Sequence, residues 1–128
     1  MRNEDYKYSD ITSKVIKAFF KVYNSLGFGF LERVYENAMF IELNNMGLNV
    51  EKQKRLTVYY ENQQIGNYFA DFLIEEKVII ELKAVERLIE EHELQIINYL
   101  RATDLEVGLI LNFGKKPEFK RKIFTNKT

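Results

Sequence analysis

The segment Val78-Ile79-Ile80-Glu81-Leu82-Lys83 constrains the fold more than any other part of this 128-residue chain. As a strand it sets Val78, Ile80 and Leu82 on one face and Ile79, Glu81 and Lys83 on the other, so both faces begin apolar. A strand with two apolar faces is a central one, covered from both sides. Glu81 and Lys83 are costly in such a place without partners, because a buried charge has to be paired or coordinated. The expectation is a sheet with helices packed on it and a polar site near the end of a central strand.

The flanking pattern supplies those helices. Ile11, Val15, Phe19, Val22 and Leu26 recur every three or four residues between Asp10 and Leu26, with Ser9 or Asp10 to cap the start and Gly27 to end it. A second helix is expected from about Phe30 to Met46, burying Leu31, Val34, Tyr35, Ala38, Phe40, Ile41 and Leu43. Strands are expected at Asn49–Tyr60, Ile65–Ile74 and Lys77–Ala84, separated by the polar turns Glu61-Asn62-Gln63-Gln64 and Glu75-Glu76, which suggests an antiparallel meander. Glu86–Arg101 then reads as a helix and Leu105–Phe113 as a central strand, with Phe119–Phe124 a short edge strand. The order α-α-β-β-β-α-β, with a further C-terminal strand, belongs to the α/β class as an α+β mixed sheet. Residues 1–128 suffice for one core and are read as a single domain.

Composition removes several chemistries. The chain has no cysteine, so disulfides, thiolate nucleophiles and cysteine-ligated metal centres are excluded. His92 is the lone histidine, which removes His-rich zinc sites and Ser-His-Asp triads; it reads as a satisfied structural residue. Nineteen bases balance nineteen acids, which argues against bulk coating of nucleic acid. No apolar run approaches the ~20 residues of a membrane span, and Met1 to Asp10 does not read as a leader, so the cytoplasm is the expected location.

The charges are nonetheless segregated. Asp71 to Glu93 holds eight acids against three bases, while Lys115 to Thr128 holds six bases, Lys127 among them, against Glu118 alone. The first segment can hold a cation and the second can meet a polyanion. Asp71 lies near the end of the second strand, and Glu81 and Lys83 share a face of the third, so a short turn that aligns the strands would bring Asp71 beside Glu81. Two carboxylates and the backbone carbonyl of Leu82 suit a hard divalent cation that keeps several waters. Lys83 beside them can orient or deprotonate a water and steady charge on a phosphoryl oxygen. Alternating charges also describe the wet face of a half-exposed strand; the apolar setting of Glu81 and Lys83 favours the site.

Glu32 and Tyr35 share a side of the second helix, and Glu32 can approach the cation or serve as an acid at the helix start, with Glu36 as a neighbouring alternative. Gln95 and Tyr99, four apart on the third helix, can bind a substrate phosphate or position Lys83, or form a polar fringe and a core aromatic.

Gly29-Phe30-Leu31-Glu32-Arg33-Val34-Tyr35 matches the Gly-x-x-Glu-x-x-Tyr signature of the small GxxExxY family. The match continues through residues 66–73, 78–86, 92–100 and 108–114, nearly the whole chain. The chain thereby resembles the PD-(D/E)xK nuclease-like superfamily, RecB-like branch, and the resemblance implies a restriction-endonuclease-like core. It implies that Asp71, Glu81 and Lys83 take the catalytic positions, Glu32 the helical acid, and Gln95 with Tyr99 the Gln-x-x-x-Tyr element. Ala70 stands where the nominal motif has proline, and Phe28 where proline is expected in the glycine-rich joint; neither touches the metal positions. No histidine precedes the second helix, so an extra histidine ligand is absent. The implied activity is Mg²⁺- or Mn²⁺-dependent hydrolysis of phosphodiesters, in DNA before RNA, with Lys120, Arg121 and Lys122 on flanking phosphates. The alternative is a binding module on the same scaffold. A small chain with 14% aromatics also suggests a homodimer.

Overall fold

A computed structural model describes residues 7–125. Residues 1–6, and Lys127 of the basic run, lie outside the described residues. The elements run α1 (Ser9–Leu26), α2 (Glu32–Asn45), β1 (Val50–Tyr60), β2 (Gln63–Ile74), β3 (Val78–Lys83), α3 (Glu90–Ala102), β4 (Val107–Phe113) and β5 (Pro117–Ile123). They reproduce the expected order, including the last strand.

The sheet has the order β1-β2-β3-β4-β5. The β1–β2, β2–β3 and β4–β5 pairs are antiparallel and β3–β4 is parallel. A parallel neighbour requires a crossover, and α3 provides it over one face of the sheet. There Ile96 and Leu100 join Leu56, Ile79 and Ile110 in one core. The opposite face is covered by α1 and α2, whose Val15, Phe19, Tyr35 and Met39 pack with Phe72, Ile80, Leu109 and Phe113. This explains the double apolar run of β3, and β4 is buried along its whole length for the same reason. Close approach of α3 depends on Gly108, where an added Cβ would lie 2.6 Å from Ile96 Cδ1. Among the described residues no helix is long and apolar enough to cross a membrane.

Several boundaries differ from expectation: Tyr8 stands at the N-cap of α1 with no side-chain cap from Ser9 or Asp10, β4 begins at Val107 and β5 at Pro117, and two further shifts have clear causes. The β1–β2 turn is two residues long, because Glu61 and Asn62 both take positive φ (51° and 64°) and β2 starts at Gln63. Left-handed residues at both central positions match the twist of a tight hairpin. The third helix begins at Glu90 rather than Glu86. Its expected first turn is held in a loop by side chains from elsewhere: Asn112 Oδ1 accepts the Val85 N–H at 3.0 Å and Glu118 Oε1 accepts the Leu88 N–H at 3.0 Å. His92 Nδ1 then accepts the Ile89 N–H at 3.0 Å, the structural role expected of it.

The joint between α1 and α2 is fastened by Tyr35. Its hydroxyl donates to the Gly27 carbonyl at 2.7 Å and accepts the Phe30 N–H at 3.2 Å. Its fully buried ring stacks on Phe113 with centroids 4.1 Å apart. Removing the hydroxyl leaves both main-chain groups without that partner, so Tyr35→Phe should cost about 1–2 kcal/mol in chemical denaturation while preserving the stacked ring; an unchanged midpoint would show that solvent replaces both bonds.

Beyond Phe72, β2 leaves β3. The β2–β3 ladder covers Phe72–Ile80, Leu73–Ile79 and Ile74–Val78, whereas β1–β2 pairing continues to Tyr60–Gln63. The outer parts of β1 and β2 therefore form a two-stranded ribbon that extends past the sheet.

Candidate active site

The fork between β2 and β3 is where the expected carboxylates meet. Continuing the ladder one step past Phe72–Ile80 sets Asp71 opposite Glu81, but there the main chains no longer pair. The side chains take over. Glu81 Oε2 accepts the Asp71 N–H at 2.9 Å, and Asp71 Oδ2 accepts the Leu82 N–H at 2.7 Å. The N–H and C=O of one strand residue point to the same side, so the Leu82 carbonyl opens onto the same gap. Lys83 follows at the end of β3, half-buried and on the Glu81 face.

The electrostatics of this pair are unfavourable without a cation. Glu81 is 6% exposed, and burial, followed by the charge of Asp71, pushes its carboxyl up to about 8. Asp71 is also raised, chiefly by burial; the Leu82 N–H counteracts this, and the charges of Glu36 and Glu32 add to it. The Lys83 charge relieves Glu81 only in part. Two carboxylates and a carbonyl around one gap, both acids disfavoured as anions, are a donor set that fits a hard divalent cation retaining waters. Among the described residues no group of three or more His, Asp or Glu side chains encloses a metal position.

The other expected residues divide into two sets. Glu32, in the first turn of α2, raises both Asp71 and Glu81 through its charge. On α3, Gln95 Nε2 donates to the Tyr99 hydroxyl at 3.0 Å. Tyr99 is pushed up to about 12, first by burial and then by the charges of Glu81 and Asp71, which marks that hydroxyl as a neighbour of the pair. Lys120, Arg121 and Lys122 lie elsewhere. They stand on β5, two strand spacings from β3, or about 10 Å. Lys122 pairs with Glu93 and Arg121 Nη2 donates to the Lys7 carbonyl, so two of the three are engaged within the chain.

Gln53 is a site neighbour that sequence reading misses. It sits in β1 at φ 50°, and its Nε2 donates to Asp71 Oδ1 at 3.3 Å and to Glu36 Oε1 and Oε2 at 3.3 and 3.2 Å. Only the β1–β2 register, which sets position 53 opposite position 71, reveals it. Past Lys83, Ala84 and Val85 line an open cleft of about 300 Å³ with Phe28, Phe30 and Lys115. It lies at the carboxyl ends of the parallel strands, a common seat for ligands.

Comparison with known proteins identifies a family and a fold. A family model described as the PD-(D/E)XK nuclease superfamily matches residues 9–122. No curated protein matches the sequence. Three solved chains match in structure. One, titled "Crystal structure of SSO0001", superposes with a TM-score of 0.59 at 14% identity over 74% of this chain. The alignment spans 50% of that chain, and at this identity the likeness is one of fold.

Proposed function

This chain belongs to the PD-(D/E)XK nuclease superfamily, and from that premise we propose that it hydrolyses phosphodiester bonds in nucleic acid with the aid of Mg²⁺ or Mn²⁺. The observation that carries the reading is the pair of bonds across the fork, Glu81 accepting the Asp71 N–H and Asp71 accepting the Leu82 N–H, with the Leu82 carbonyl and Lys83 at the same opening. Asp71, Glu81 and the Leu82 carbonyl would hold the cation, which when bound supplies Lewis acidity toward a phosphoryl oxygen. Lys83 orients the attacking water through Nζ and steadies the negative charge that develops as the water oxygen bonds to phosphorus and the opposite P–O bond breaks. Tyr99, held by Gln95, presents a hydroxyl that stays protonated at neutral pH and can donate to a substrate phosphate. Glu32, at the helix start, would add an acidic group beside that cation. The Gly29-Glu32-Tyr35 signature supports placement in the GxxExxY family, and the Gln95–Tyr99 pair supports the RecB-like branch and hence DNA before RNA.

Titration of Mn²⁺ into metal-free protein tests the centre directly. One ion per chain is expected, bound at least tenfold more weakly by Asp71→Ala and by Glu81→Ala once both variants are shown to be folded. Heats that ignore both substitutions, or no saturable heat, would remove the proposed cation site.

A further inference from the structure

The ribbon beyond the fork presents an uncommon surface. Tyr59, Tyr60, Ile65, Tyr68 and Phe69 are each between 50% and 66% exposed. Past the ladder, residues 53–70 carry Lys54 and Arg55 against the single acid Glu61, while Lys52, at the last ladder step, lies over the Phe40 ring. At the ribbon's base Glu51 holds Lys54 at 3.4 Å, a surface pair of small energetic weight. Open rings with cations at their base, Arg55 standing opposite Phe69, match the two chemistries that every nucleotide offers, a π-face on the base and a negative charge on the linkage. Stacking on a side chain needs an unpaired base, because neighbouring base pairs cover those faces within a duplex. A second copy of the chain would bring the same excess of positive charge against itself, so charge complementarity favours a polyanion.

The ribbon also leads to the reaction centre. It begins at Asp71, and the Tyr68 ring lies 5.4 Å from that of Tyr99, the α3 residue beside the carboxylates. Alternation along β1 and its pairing with β2 put Tyr60, at the tip, on the same face as Leu56 and Tyr68. From these features we propose that the β1–β2 ribbon is the binding surface for an unpaired nucleic-acid strand and feeds it to the fork. This deepens the nuclease reading and rests on it.

Fluorescence anisotropy of a labelled oligothymidylate and of a duplex of equal length, with the full chain carrying Lys83→Ala in Mg²⁺, tests the assignment without cleavage. The unpaired strand should bind at least tenfold more tightly than the duplex. Tyr68→Leu should weaken binding about tenfold, Tyr68→Phe should restore it, and Tyr60→Ala should weaken it severalfold. Lys54→Gln combined with Arg55→Gln should reduce the salt slope by about 1.4, or 0.7 for each cation lost. Equal affinity for the duplex, or binding indifferent to Tyr68→Leu and Tyr60→Ala, would overturn the proposal. So would a wild-type dimer that Tyr68→Leu dissociates, since the second copy would then own the surface. If the Lys83-intact chain cuts DNA while the ribbon variants bind normally, the ribbon assignment fails alone. Ribbon-dependent binding with no cleavage of DNA or RNA leaves the surface standing and removes the nuclease reading.

Discussion

Lys83→Ala should lower the single-turnover rate of phosphodiester hydrolysis by about a thousandfold while leaving Mn²⁺ affinity within a few-fold of wild type. Lys83 ends β3 half-buried, two residues from Glu81 on the same face, so truncating it opens no hole in either core. What is lost is a positive charge and a donor at the point where charge develops. Positioned groups of this kind are worth 10²–10⁴ in rate, or about 3–5 kcal/mol of barrier. Lys83→Arg keeps the charge and changes its shape, so it should recover only part of the rate. A rate within tenfold of wild type for Lys83→Ala would remove Lys83 from the chemistry.

The second large effect is on stability. Glu81 ionises at its ordinary value of 4.5 in the unfolded chain and at about 8 in the folded one. A carboxyl raised on folding favours the native state at low pH. Its contribution is complete below 4.5 and is lost progressively as pH climbs toward 8, because the unfolded chain releases the proton first. In a chelator, thermal unfolding should therefore show stability falling between pH 5 and 8 by several kcal/mol. Glu81→Gln keeps an oxygen for the Asp71 N–H and carries no charge, so it should flatten the profile and be the more stable protein at pH 8. Saturating Mg²⁺ should reverse the slope, since a bound cation favours the ionised pair. A chelated wild type whose stability holds constant from pH 5 to 8 would show that Glu81 is an ordinary, solvated acid.

What a single sequence discloses here follows the range of each interaction. Helices α1 and α2 and the strands are visible because their apolar periods are local, and β3 declares itself central by its two apolar faces; the face of α2 is misread, since Leu31, Val34 and Ile41 are exposed and Tyr35, Met39 and Leu43 are the buried ones. The apposition of Asp71 and Glu81 is not local. It depends on a ladder register that the turn at Glu75-Glu76 fixes, and it occurs one step past the last main-chain pair. The late start of α3 is hidden for a similar reason, since Asn112 and Glu118 capture the N–H groups of Val85 and Leu88 from positions 27 and 30 residues away. A count of charges in the basic run does not show their partners. Lys122 belongs to Glu93, whereas Lys52, Lys54 and Arg55, which no charge run marks, lie on β1, the strand paired with the one that carries Asp71. Gln53 carries no local signal either, being a polar residue on an exposed stretch of strand.

The fork is also a mechanical element. From Gln63 to Asp71 the ribbon is an arm of roughly 25 Å, and past Phe72 its link to β3 runs through two bonds that each join a carboxylate to a main-chain N–H. A pull at the tip therefore reaches Asp71 before it reaches the ladder. Asp71 and Glu81 stand at the junction where the arm leaves β3, and just beyond it Leu56 and Ala70 seat the arm on α3.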